Sequence, residues 1–102
     1  MLVWFSVTPI GTGSPSVSRE VARAVAAVRA TGLRCETDAS GTLVEGTWDD
    51  CMDALAAARE AVLESAPRVS FTCKFDVRGD RDQSGADKVA SLEQALEEET
   101  QR

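Results

Sequence analysis

The feature that most constrains this chain is the stretch from Arg68 to Arg78. Its residues alternate without exception. Val69, Phe71, Cys73, Phe75 and Val77 fall on one face; Ser70, Thr72, Lys74, Asp76 and Arg78 fall on the other. A period of two is the mark of a β-strand, and a single apolar face fits an antiparallel sheet covered on one side. Leu2 to Thr8 reads the same way, with Phe5 and Val7 opposed to Trp4, Ser6 and Thr8. Two one-sided strands at opposite ends of a chain need helices to cover them.

The intervening sequence supplies those helices. Val17, Val21, Val25 and Val28, with Ala24, recur at helical spacing, and Gly32 ends the helix. Ser16 or Ser18 is the expected cap after the Pro9-Ile10-Gly11-Thr12-Gly13-Ser14-Pro15 loop. Leu33 to Thr37 and Thr42 to Gly46 flank the turn signal Asp38-Ala39-Ser40-Gly41 and read as a hairpin. A second helix is expected from Trp48 to about Ser65, with Trp48, Cys51, Met52, Leu55, Ala58 and Val62 as its apolar stripe. The resulting order is β-α-β-β-α-β. We therefore expect an α+β fold, a ferredoxin-like βαββαβ sandwich with an extra C-terminal helix. In this reading the helices bury Phe5, Val7, Phe71, Cys73 and Phe75. The opposite sheet face carries Trp4, Ser6, Thr8, Thr72, Lys74 and Asp76. Residues 1–79 form the ferredoxin-like domain. Residues 80–102 form an acidic helical extension, with a stripe of Val89, Leu92 and Leu96. A lone helix of that length is marginal in water, so it is expected to pack on the domain or on a neighbouring subunit.

Composition removes several classes of function. Lysine plus arginine number 11 against 17 acids, giving a charge of −6. Such a chain repels phosphate backbones, so no nucleic-acid partner is expected. There is no histidine, the commonest general base and metal ligand. The three cysteines, Cys35, Cys51 and Cys73, are an odd number without CxxC spacing. They read as reduced, inward-facing thiols, not as a disulfide framework or a metal site. The N-terminus, MLVWFSVTPI, lacks the basic start and cleavage site of a secretory signal, and its apolar run is too short to cross a bilayer. A cytoplasmic protein with no membrane contact is expected. An acylphosphatase-like enzyme needs an arginine in the first βα loop and an asparagine partner. Residues 9–18 hold no arginine and the chain has no asparagine, so no catalytic residues, enzyme activity or cofactor are expected.

What remains is binding chemistry. The Gly11-Thr12-Gly13-Ser14 loop fits either an anion cradle or an ordinary βα turn. Lys74, Asp76 and Arg78 form either a surface charge ladder or a ligand-binding row. Glu45 is a second acid of the same kind, whose face the sequence leaves open. Trp4 can stack on a flat heteroaromatic cation or serve an oligomer interface. Trp48 lies on an apolar stripe, which favours core packing over stacking.

Four segments resemble a known family. They are Phe5-Ser6-Val7-Thr8-Pro9-Ile10-Gly11-Thr12-Gly13, Ser16-Val17-Ser18, Gly41-Thr42-Leu43-Val44-Glu45-Gly46-Thr47-Trp48-Asp49 and Lys74-Phe75-Asp76-Val77-Arg78-Gly79-Asp80-Arg81. In this order they resemble the small thiamine-binding protein family over nearly the whole chain. The resemblance implies a subunit that forms dimers and often tetramers and binds thiamine or a related pyrimidine or thiazole compound without catalysis. It carries over to Ser6, Thr12, Thr42, Glu45, Trp48, Lys74, Asp76 and Arg78; the face chemistry adds Trp4 and Thr8 to the candidate ligand-binding set. The chain departs from the family at Ala39 and Ser40, where a Pro-Met pair is usual, and at Trp4, where the residue is usually smaller or acidic. The alternative reading is a structural or regulatory homo-oligomer whose open sheet face binds a protein partner.

Overall fold

The structure, a computed structural model, describes residues 1–101. The elements are β1 (Leu2–Ile10), α1 (Ser18–Ala30), β2 (Arg34–Thr37), β3 (Thr42–Glu45), α2 (Trp48–Leu63), β4 (Arg68–Asp76) and α3 (Gly85–Thr100). The strands form one antiparallel sheet in the order β2-β3-β1-β4. With α1 and α2 on one face this is the ferredoxin-like sandwich, with the extra C-terminal helix present. Arg102, the last residue of the 80–102 extension, lies outside the described residues.

The period of two in β1 becomes the layer structure directly. Val3 and Phe5 are fully buried under the helices, against Ala24, Val28, Val44, Cys51, Ala54, Ala58 and Val62. Val7, Val69 and Phe71 complete this layer with partial burial. Trp4 leaves on the other side, as the alternation requires.

Cover fails at the β4 margin. Cys73 and Phe75 point toward the helix side, yet both are exposed, which corrects the expectation that they are buried. The reason is position: β4 is an edge strand, and α2 does not reach across it. Trp48, expected in the core, is likewise 53% exposed at the first turn of α2, where its ring stacks on Phe75 at 5.4 Å. The strand also stops at Asp76, so Val77 and Arg78 lie beyond it.

Helix starts differ in how they are held. Neither Ser16 nor Ser18 caps α1; Val17 occupies the cap position with no side-chain bond. Ser14 Oγ instead accepts from Ser16 N–H, and the Thr12 hydroxyl donates to the Ser14 carbonyl, closing the loop on itself. For α2, Thr47 Oγ1 accepts from Asp50 N–H at 3.1 Å. Thr47→Ala is expected to cost about 1 kcal/mol in a denaturant titration, the usual loss for an N-cap, while Thr47→Ser retains nearly all of it.

The chain is elongated. Its radius of gyration is 16.0 Å, against about 13 Å for a compact domain of this length. The excess comes from α3, none of whose residues is buried. Ser84 and Asp87 close a reciprocal capping box at its start. Its stripe of Val89, Leu92 and Leu96 is about half exposed. Among the described residues no helix is long and apolar enough to cross a membrane.

Candidate functional site

Register turns the sheet face opposite α1 and α2 into rows of neighbouring side chains. One row runs Arg34, Glu45, Leu2, Asp76 across the four strands; the next runs Glu36, Leu43, Trp4, Lys74. Beyond them the sheet narrows to β1 and β4, and the rows shorten to Ser6 with Thr72 and Thr8 with Ser70. Cross-strand neighbours lie about 5 Å apart at Cβ, so each row is a contact series. The face thus has an apolar centre of Leu2, Leu43 and Trp4, with acids and cations at its flanks.

The Trp4 indole lies over Gly41 at the hairpin tip. A Cβ built on Gly41 would stand 2.8 Å from Cε2 and Cζ2 of that ring. Glycine therefore lets the indole lie against the strand end, with Trp4 partly buried on the open face.

The first turn of α3 reaches over the same face, which the sequence did not reveal. Gly85 N–H donates to Glu45 Oε1 at 2.6 Å, while Arg34 Nε stands 3.9 Å from Glu45 Oε2. Lys88 Nζ bonds Asp76 Oδ2. Helix α3 is thus clasped at two points across the first row, one on β3 and one on β4. Between this turn and the β2–β3 margin lies a groove of about 450 Å³, lined by Arg34, Glu36, Leu43, Glu45, Gly85 and Val89. That size is within the range of small-molecule sites.

The Lys88 hydrogen bond and charge, aided by Lys74 and Arg78, hold the Asp76 carboxyl below the ordinary aspartate value. A carboxyl with a depressed folded pKa adds stability above its unfolded pKa, near 3.9, and loses it as pH falls through the lower folded value. The α3 clasp is therefore expected to hold from neutral pH to about pH 4 and to loosen below it. Hydrogen exchange of residues 85–90 against pH checks this, with Lys88→Met as the variant expected to exchange fast at every pH.

The ten candidate residues do not form one site. Trp4, Ser6, Thr8, Glu45, Lys74 and Asp76 share the open face, and Glu45, undecided from sequence, lies there beside Leu2. Thr42 does not. It pairs with Phe5, faces the helices, is 2% exposed and shares a hydrogen bond with Thr37 Oγ1. Trp48 sits on the helix side against Phe75. Thr12 lies past the Ile10 end of β1, roughly 20 Å along the sheet from the Trp4 row. Arg78 leaves the strand to form a two-point pair with Asp80. Sequence reasoning missed Arg34, Glu36, Leu43, Gly85 and Lys88. The Ser84–Asp87 capping box was the available signal for where α3 starts. Among the described residues no cluster of three or more acids, cysteines or histidines is arranged to hold a metal.

Comparison with known proteins matches residues 3–93 to the family described as Thiamine-binding protein. An uncharacterised UPF0045 protein of Mycobacterium bovis is 43% identical over 94% of both chains. One from Methanothermobacter thermautotrophicus is 42% identical over 89% of this chain and 94% of its own. A hypothetical protein from Methanocaldococcus jannaschii superposes with a TM-score of 0.82 at 31% identity, covering 89% of this chain and 93% of that one. A Thermotoga maritima structure, provisionally named as a thiamine biosynthesis/salvage protein, superposes with a TM-score of 0.78 at 21% identity, covering 89% and 96%.

Proposed function

As the chain belongs to the thiamine-binding protein family, we propose that it binds thiamine or a related pyrimidine or thiazole compound on its open sheet face, without catalysis and without a further cofactor. The observation that carries this reading is the adjacency of an indole platform to two carboxylates. Trp4 and Leu43 form the floor; Glu45 and Asp76 stand in the next row, on the strands to either side of β1. Thiamine has the complementary parts, a thiazolium cation and a flat aminopyrimidine. A cation over an indole gains about 0.5–2 kcal/mol, and a carboxylate beside it offsets the loss of water. Ser6, Thr8 and Lys74 offer hydrogen bonds to the pyrimidine edge. The Thermotoga maritima relative's name points to the same ligand class.

The assembly reading is a homo-oligomer, a dimer or tetramer. It is supported by the half-exposed Val89, Leu92 and Leu96 of α3, which nothing in one subunit covers. The free thiols of Cys35, Cys51 and Cys73 suit a reducing compartment, and the reading places the protein in the cytoplasm without nucleic-acid or membrane partners.

Isothermal titration with thiamine, its phosphates and its pyrimidine precursor tests the ligand. Saturable heat is expected with at least one of them, and recovered ligand should be chemically unchanged. Trp4→Ala should weaken binding about tenfold, worth about 1.4 kcal/mol. Absence of heat with all of them overturns the ligand reading and leaves the homo-oligomer with a protein partner on its open face as the better account.

A further inference from the structure

Helix α3 meets the sheet through one face of its N-terminal end. Gly85, Lys88 and Val89 stand at i, i+3 and i+4, so they share that face. Gly85 N–H is bonded to Glu45 Oε1, Lys88 Nζ is bonded to Asp76 Oδ2, and Val89 lines the groove together with Leu43. Those three sheet residues are the two acids and part of the floor of the proposed site. The rest of α3 is held loosely. None of its residues is buried, and its link to β4, residues 77–84, contains neither helix nor strand. Around Gly79, within that link, there is open space.

The geometry points to an autoinhibitory clasp: the Lys88 ammonium occupies the Asp76 carboxylate as an internal substitute for a cationic ligand, and the first turn of α3 must lift before such a ligand binds there. This rests on the ligand reading above and adds what controls access to that site.

Charge pairing separates a clasp from a lid. A lid closes over its ligand and leaves the charges of the site unpaired until the ligand arrives. Here they are already paired within the chain. Asp76 Oδ2 carries the ammonium, while Glu45 holds a backbone N–H on one oxygen and has Arg34 Nε 3.9 Å from the other. A thiazolium brings its positive charge to the same carboxylates, so it and Lys88 compete for one place. Lys88 can be displaced, because its side chain and that of Asp76 are 45% and 35% exposed, and ion pairs so open to water are weak. Gly85 lies on the same face one turn earlier, so losing the Lys88 bond also frees the turn to leave Glu45. A ligand whose place is open only part of the time binds more weakly by that fraction. A clasp closed about four-fifths of the time lowers affinity about fivefold, which is within what an exposed ion pair supplies.

The test is titration with thiamine, read beside hydrogen exchange of residues 86–90 in the full chain. Lys88→Met is expected to bind thiamine about fivefold more tightly than the wild type. The pyrimidine precursor, measured above neutral pH where its ring is uncharged, should bind both chains alike, because it brings no cation to compete. Ser84→Ala removes the α3 cap and leaves every charge in place. By fraying the first turn it should tighten thiamine about twofold. A first turn released from the sheet frays, so in the wild type saturating thiamine should speed exchange at residues 86–90 about fivefold, the reverse of the protection a closing lid confers. The inference is overturned by a Lys88→Met or Ser84→Ala chain that binds thiamine no more tightly, by a precursor that gains as much as thiamine does, or by exchange that slows or stays the same on saturation. If titration is silent with wild type and Lys88→Met alike, the ligand reading falls and takes the clasp with it. If thiamine binds and these differences are missing, the clasp alone falls.

Discussion

Phe5→Ala is expected to lower the melting temperature by roughly 15 °C or more, the largest single effect in this chain. The Phe5 side chain is 1% exposed in the middle of the central strand, with its ring centroid 6.2 Å from that of Phe71. It is the largest fully buried side chain, and α1, α2 and β3 all contribute residues to the cluster around it. Removing the ring loses the transfer free energy of its carbons and leaves a hole that the helices only partly fill, together about 3–5 kcal/mol. Domains of this size have roughly 5–15 kcal/mol in all. Phe5→Leu should retain most of that stability. Thermal melts by circular dichroism decide the matter: a fall of less than about 5 °C for the alanine variant would mean that the core is centred elsewhere.

Phe5 was legible in the sequence because a strand with one dry face writes its orientation into alternate positions. The same rule puts Trp4, Ser6, Lys74 and Asp76 on the opposite side, as the register shows. It failed where the period says which way a side chain points but not how far the cover extends. Cys73 and Phe75 do point at the helix layer, yet that layer ends short of the edge strand. Trp48 is on the helix side for the same reason and is exposed for the same reason, since it begins α2 at the overhanging margin. Thr42 was lost differently. Strand β3 has only four residues, Thr-Leu-Val-Glu, too few and too mixed to show a phase, and only the register with Phe5 reveals that Thr42 faces inward.

The candidate site was less legible than the fold because its parts meet over long sequence distances. Gly85 and Glu45 are forty residues apart, and Lys88 and Asp76 are joined by a turn and a helix start with no apolar period to betray their direction. Glycine was the readable trace of this contact. A Cβ on Gly85 would stand 2.9 Å from Glu45 Oε1 and 3.0 Å from Leu43 Cδ2, so a larger residue there would push the Glu45 and Leu43 side-chain ends aside. The consequence for binding is that both open-face acids already have partners within the chain. At the proposed site a cationic ligand would meet, at Asp76, a carboxylate that Lys88 holds, so ligand occupancy is expected to be coupled to α3 docking through one side chain.

Gly41→Ala joins fold and site in a single substitution, and it is expected to impair both. The added Cβ would collide with the Phe5 carbonyl oxygen and stand 2.8 Å from two atoms of the Trp4 ring. The oxygen cannot retreat, because Phe5 is paired with Thr42 on one side and with Cys73 on the other. Nor can the turn yield easily: Asp38 Oδ1 accepts from Ser40 N–H at 2.7 Å and Gly41 N–H at 3.1 Å, and the Gly41 carbonyl accepts from Asp38 N–H at 2.9 Å. The strain is relieved only by parting the β1–β3 ladder at its end or by swinging the indole off its seat. Overpacking of this kind costs about 1–3 kcal/mol, and the platform for a stacked ligand goes with it. Denaturant unfolding of Gly41→Ala should show that loss, and in a Trp48→Phe background the single remaining indole should report the displacement as a shift of its emission to longer wavelength. The control is Gly79→Ala, where a new Cβ meets nothing within 4 Å and φ is ordinary, so stability and emission should stay unchanged. If Gly41→Ala matches that control, the indole does not rest on Gly41 and the floor assigned to the site is wrong.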